Sequence, residues 1–371
     1  MQLREPVFVE ANWEKIYNEI IATYENITGT TLSKGQLEAV LLSIFAYREN
    51  LLRIAINETA KLNLLAYARD HYLDHLGALL GVYRLPARPA KTTLRFYTSE
   101  VLDKELIIPQ GTRVKTQDDK VTFATTKTAV IIPGTTHVDV PAEALEPGTT
   151  GNGYLQGQVN VLIDVLPFIT KVENITITYG GADLEDDEHL RERIRLAPES
   201  FSNAGSKGAY IFWAKTAHQD INDVTVYSPS PGQVIVTVLM KDGEIPSEEI
   251  LQEVKKTLNH EKVRPLTDQI FVRAPGVVTY RIKGQYWLYR SYSALLDSVK
   301  KRIELEINKF VKTQDSKLGR DIVPEQIIEV IQSIQGVYRV VLEEPSYRTL
   351  EIFEVSKCEE VSLNFAGFVD G

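Results

Sequence analysis

Two histidines four residues apart are the strongest chemical signal in this sequence. In Asp70-His71-Tyr72-Leu73-Asp74-His75, one helix face would carry both His71 and His75, close enough to share a metal ion. The helical zinc-protease pattern also needs Glu directly after the first histidine. Tyr72 stands there, and no third ligand is evident downstream. The pair reads as polar positions on a helix surface, and no metal or other cofactor is expected. The acidic group Asp183, Glu185, Asp186, Asp187 and Glu188 could attract a cation, but it lacks the alternating ligands and internal glycine of a calcium loop. Followed by His189-Leu190-Arg191-Glu192-Arg193-Ile194-Arg195, it has the layout of a helix start. Acids stand in front and arginines behind, as the helix dipole favours, and Asp187 and Arg191 are spaced for an ion pair. Gly205-Ser206-Lys207-Gly208 holds phosphate-loop residues without phosphate-loop spacing. Ser298-Val299-Lys300-Lys301 matches S-x-x-K only in mid-helix among solvated charges, and no G-x-S-x-G elbow occurs. Cys358, the single cysteine, can form no internal disulfide, and no histidine is placed by the sequence to activate it. No catalytic residue is assigned.

The elements that carry these residues belong to a multidomain chain. A length of 371 residues suits two to four domains. Hydrophobic content of 43% and charged content of 25% are those of an ordinary globular protein. The net charge of -9 and the absence of a long Lys/Arg run argue against nucleic acid as a partner. The first residues lack the basic-then-apolar order of a secretory signal. The long uncharged stretches are broken by Gly and Pro, so no membrane span is expected. Three Asn-x-Thr sequons, at Asn26, Asn57 and Asn174, read as chance matches.

The expected fold class is α+β multidomain: long N-terminal helices, a β-rich domain, then two small α+β domains. Residues 1–88 are helical. Trp13, Ile16, Ile20 and Tyr24 step along one face, Thr28-Gly29-Thr30 stops that helix, and Ser33 is placed as the next N-cap. A second apolar series includes Leu41 and Leu52. With no Pro or Gly from Gln36 to Leu76, it predicts one long or slightly broken helix, the alternative being a hairpin of two near Asn57 to Asn63. So few helices cannot cover such a stripe, so a partner is expected. Residues 89–179 alternate apolar and polar residues between turn signals, as short antiparallel strands do. In residues 180–275, a helix near Gly208 to His218 precedes a hairpin around Pro231-Gly232, a helix capped by Ser247 and a strand over Gln269 to Arg273. Residues 276–345 repeat a β-α-α-β theme, with a helix over Ser293 to Val311 and Pro324 at a helix start. Residues 346–371 form a strand-like tail. Tyr286, Trp287 and Tyr289 in the strand region and Phe365 and Phe368 in the tail are candidate contact residues, because aromatics are enriched where proteins meet.

Several blocks in register resemble one family. Gly180-Gly181-Ala182-Asp183 leads to Leu190-Arg191, then Ala197-Pro198-Glu199, Phe201-Ser202, Ala204-Gly205-Ser206 and Ala209-Tyr210. Ser228-Pro229-Ser230-Pro231-Gly232 and Arg264-Pro265-Leu266-Thr267-Asp268 follow. Upstream, Ala46-Tyr47-Arg48-Glu49, Gly81-Val82-Tyr83-Arg84, Ile108-Pro109-Gln110-Gly111-Thr112 and Pro147-Gly148-Thr149-Thr150-Gly151-Asn152 fit the same order. The set, over residues 35 to 345, resembles the baseplate J family of contractile tails. The resemblance implies a structural wedge subunit and not an enzyme. Two copies would join a second wedge protein of the baseplate I type, and a sheath-initiator protein would dock on their helical bundle. Neighbouring wedges would close into a ring around a central hub. The particle, a phage or a tail-like bacteriocin or injection system, would be assembled in a bacterial cytoplasm. A receptor-binding or adhesive tail protein and a tail-borne hydrolase are the rival classes. The first would typically show β repeats, and the second a convergent polar pocket.

Overall fold

The computed structural model describes residues 4–33, 35–201, 205–261 and 263–370. It divides into two compact units, Met1–Tyr83 with Leu190–Ile194, and Arg84–His189 with Arg195–Gly371.

The first unit holds helices α1 (Trp13–Thr28), α2 (Leu37–Lys61) and α3 (Asp70–Ala78). Asn12 caps α1 by accepting the Lys15 N–H at 3.1 Å. Gly29, at φ +69°, closes it with an N–H returned to Glu25 O. The following helix does not start on Ser33: Gln36 holds the cap position. Nor does it run to Leu76. The chain leaves the helix after Lys61 and re-enters it at Asp70, so the uninterrupted form of the predicted helix is corrected to two helices. Asn63 explains the break without Pro or Gly. Its amide donates to Thr59 O and Ala60 O at 3.3 and 3.4 Å, competing with the helical ladder. Asp70, at φ +48°, stands at the first position of α3. Asn57 is a clamp: its Oδ1 accepts the Phe8 and Val9 N–H groups at 2.9 and 3.0 Å, and its amide donates to Val9 O at 2.7 Å.

The second unit begins with β1 (Lys91–Thr98), β2 (Leu106–Ile108), β3 (Arg113–Thr116), β4 (Thr122–Thr125), β5 (Ala129–Ile131), β6 (His137–Ala144), β7 (Val159–Leu162) and β8 (Ile169–Asn174). Six of these form an antiparallel sheet in the order β7-β3-β4-β6-β1-β8, while β2 pairs with β5. Period-two alternation sends Leu94 and Phe96 into the core and turns Arg95 toward Asp139 on the neighbouring strand. Asn174, 1% exposed, joins the two outer strands. Its Oδ1 accepts the Val159 N–H at 2.8 Å, and its amide donates to Leu155 O and Thr176 O at 2.9 Å each.

Helix α4 (Asp187–Leu196) follows, and its residues Leu190–Ile194 count with the first unit. Next come α5 (Lys207–Ala217), β9 (Ile221–Tyr227), β10 (Gln233–Met240), α6 (Glu248–Leu258) and β11 (Gln269–Arg273). The predicted hairpin pairs Val226 with Val236 and Val224 with Val238, and α6 crosses over to bring β11 parallel to β10. The last domain comprises β12 (Gly276–Tyr289), α7 (Leu296–Asp315), α8 (Pro324–Gln332), β13 (Val337–Glu344) and β14 (Glu354–Val369). Val299, Ile303 and Ile307 turn one face of α7 onto the sheet, and Pro324 opens α8 as its type dictates. The tail beyond residue 346 folds as β14, which lies parallel to β12 from Gly276↔Glu354 to Tyr289↔Val369.

Candidate functional site

Four acidic residues of the predicted helix start are engaged as joints. In the loop before α4, Asp183 accepts the N–H and hydroxyl of Thr149, both at 3.0 Å. Glu185, 2% exposed, accepts the Leu85 N–H at 2.8 Å and faces His189 Nδ1 at 2.6 Å. The other ring nitrogen of His189 lies 3.0 Å from Ile221 O. Asp186 caps α4 through the His189 N–H at 2.9 Å and pairs with Lys241. Burial raises its pKa, but the Lys241 ammonium and the His189 N–H outweigh burial and hold the carboxyl below its usual range. Asp187 takes the Arg84 guanidinium at 2.7 Å, while Arg191 donates to Leu65 O and Ala68 O at 2.8 and 2.6 Å. Sequence reasoning missed the buried Glu185–His189 pair, although its i,i+4 spacing was there to be read.

His71 is a surface residue, its side chain 95% exposed and 3.8 Å from Asp74. Among the described residues, no cluster of three His, Cys, Asp or Glu side chains could hold a metal. Ser206 caps α5 by accepting the Ala209 N–H at 3.1 Å, which accounts for the Gly-Ser-Lys-Gly segment. The neighbouring Ser202 and Ala204 lie outside the described residues. Cys358 is half-buried on β14, and burial pushes its thiol pKa up, away from a reactive thiolate.

The candidate contact residues divide by burial. Ile16 (1% exposed) and Tyr286 (3%) are core residues, Ile20, Tyr24 and Trp287 are half-buried, and Phe365 and Phe368 pack on the core of their own domain. The C-terminal domain still exposes Tyr289, edge-on to Tyr338 at 5.3 Å. Trp13 stacks on Tyr17 at 5.3 Å. The largest apolar exposure is on α2, a 25-residue helix that buries only Ala39 and Ala46. Leu41 is 48% exposed, Phe45 64%, Leu52 61% and Ile56 50%, and Val40, Ile44, Tyr47 and Ile54 carry the exposure around the helix. A helix apolar on several sides has the composition of a bundle interior.

Comparison with known proteins identifies the architecture. Four domain models match in chain order: the Baseplate J-like N-terminal domain over residues 39–91, the Baseplate J-like protein barrel domain over 93–181, the Baseplate J-like central domain over 202–274 and the Baseplate J-like protein C-terminal domain over 280–364. The chain belongs to the baseplate J family. The family takes its name from the tail baseplate, and its domain models run through this chain from residue 39 to residue 364. Baseplate protein J of Escherichia phage P2 is 34% identical over 180 residues, which are 48% of this chain and 58% of that protein. The match thus spans little more than half of that relative. The phage-like element PBSX protein XkdT of Bacillus subtilis (strain 168) is 24% identical over 315 residues, covering 82% of this chain and 81% of its own. Among solved structures, a chain of the anti-feeding prophage baseplate aligns over 93% of this chain and 89% of that chain, with a TM-score of 0.47 and 12% identity. No helix among the described residues of this baseplate J-family protein is long and apolar enough to cross a membrane.

Proposed function

We propose that this protein is a non-enzymatic wedge subunit of a contractile-tail baseplate. Two copies assemble with one copy of a second wedge protein of the baseplate I type, and a sheath-initiator protein docks on the joint helical bundle. Neighbouring wedges then link into a ring around the central hub. The observation that carries this reading is α2, apolar on several sides with two buried residues in 25. One neighbouring helix cannot cover such a surface, and a bundle drawn from several chains can. The engagement of the loop carboxylates as caps and ion pairs supports the non-enzymatic part. The exposed Tyr289–Tyr338 pair is the proposed contact between wedges. Native mass spectrometry of the full chain co-expressed with the second wedge protein of its own particle tests the assembly. A complex with two copies of this chain and one of the other is expected. A chain that stays monomeric beside that protein would falsify the proposal.

A further inference from the structure

The link between the central and C-terminal domains, Ala274-Pro275, is two residues long. Relative motion of neighbouring domains is the default unless the contact between them is extensive. Two separate clusters oppose it here. In the first, the Arg273 guanidinium lies 4.4 Å from the ring of Phe353 and 5.6 Å from that of Tyr227, and the two rings are 5.6 Å apart. Within the central domain Arg273 is fixed by donating to the Tyr227 hydroxyl at 3.0 Å, and within the C-terminal domain Phe353 O accepts the Gly276 N–H at 3.1 Å. A cation set against a stacked pair of rings is an oriented contact that a small rotation disrupts.

The second cluster uses different segments. Asn222 at the start of β9 donates to Ser316 O, just past α7, at 2.6 Å, and Asp223 accepts the Leu318 N–H at 3.0 Å. Lys357 of β14 reaches Gly243 O at 3.4 Å. Gly243 itself sits at φ +70°, where a Cβ would meet Asp315 O at 2.3 Å, so this approach admits only glycine. A hinge concentrates its change in a few loosely held residues. Rotation about Ala274-Pro275 would instead pull Phe353 away from Arg273 and Tyr227, break the hydrogen bonds of the second cluster and separate Gly243 from Asp315.

We infer that the central and C-terminal domains form a single rigid arm, latched by Arg273 on one side and by the Gly243–Asp315 approach on the other. A displacement imposed on either domain is carried by both, so rearrangement of the protein is absorbed elsewhere in the chain. The inference holds whether or not the wedge reading does.

Paired spin labels on the full chain test it. Lys255→Cys on α6 and Glu329→Cys on α8 are both exposed, and Cys358→Ser removes the native thiol. With the latch intact, electron–electron distance measurement should return one narrow peak. Adding Gly243→Val and Arg273→Ala together should broaden or split it. A broad or double peak with the latch intact overturns the rigid arm. A peak that stays narrow in the double variant refutes the assignment of the latch to these contacts. Should the double variant fail to fold, Asn222→Ala with Arg273→Ala takes its place, judged by the same broadening.

Discussion

Replacing Leu41, Phe45 and Leu52 with glutamate separates assembly from folding. These positions lie within about 40° of one another around the helix at 3.6 residues per turn, so they mark one face of α2. They are 48%, 64% and 61% exposed in the isolated chain. Full burial of a Leu or Phe side chain contributes about 1.5–3 kcal/mol, so each has about 1–2 kcal/mol left to gain from a partner. Together they represent roughly 3–5 kcal/mol, or about a 100- to 4,000-fold change in Kd, before the added cost of burying a carboxylate. In the free chain, substitutions at exposed positions should move stability by only about 0.5 kcal/mol each. Thermal unfolding of the purified triple variant should therefore match the parent, while titration against the second wedge protein should show the affinity lost. A change in Kd below about tenfold would refute the reasoning, since burial of three such side chains must register. A collapse of the melting temperature would refute it differently, by placing the side chains in the chain's own core.

Asn174→Ala should destabilise the protein by about 3–5 kcal/mol, read as a lower urea midpoint, because three hydrogen bonds at a buried position go and the Val159 N–H is orphaned. Asp315→Asn should stabilise it at neutral pH. Burial raises the Asp315 pKa above its ordinary 3.8, so the folded state binds the proton more tightly than the unfolded chain. That contribution is complete below the unfolded value and is lost as pH rises through the folded one, whereas asparagine is uncharged throughout. The melting-temperature gain of Asp315→Asn should therefore grow from acid toward neutral pH, and a gain that shrinks along that path would contradict the burial argument. Tyr289→Ala with Tyr338→Ala should leave the isolated wedge intact and stop ring closure in electron micrographs. Closed baseplates at the parental yield would move the joint elsewhere.

Local rules made much of the fold legible. Ser247 and Pro324 stand where helix starts were expected, Gly29 where a helix stops, and the valines around Pro231-Gly232 pair as alternation dictates. What the sequence hid were side chains acting across long separations. Asn57 reaches back 48 residues to Val9, and Glu185 reaches 100 residues to Leu85. Neither partner is implied by local spacing. The break after Lys61 falls within the Asn57 to Asn63 span that the alternative of two helices named, and Asn63 marks it by side-chain competition, with no Pro or Gly involved. The aromatic run beginning at Tyr280 was ambiguous because alternation on a strand puts Tyr280 and Tyr286 in the core and leaves Tyr289 outside, a division that depends on which helices cover the sheet.

The same limit accounts for α2. Its residues satisfy helix propensity, and its neighbours in the chain bury Ala39 and Ala46, yet Phe45 and Leu52 stay in water. A monomer selected only for its own stability would carry polar residues there, because exposed aliphatic and aromatic side chains contribute little to folding and promote association. The loop before α4 is built in the opposite way, with Asp183, Glu185, Asp186 and Asp187 all engaged within the chain. This loop thus completes its polar interactions internally, while α2 leaves apolar ones open. That contrast, more than any single motif, is the physical reason to read the chain as a part of an assembly.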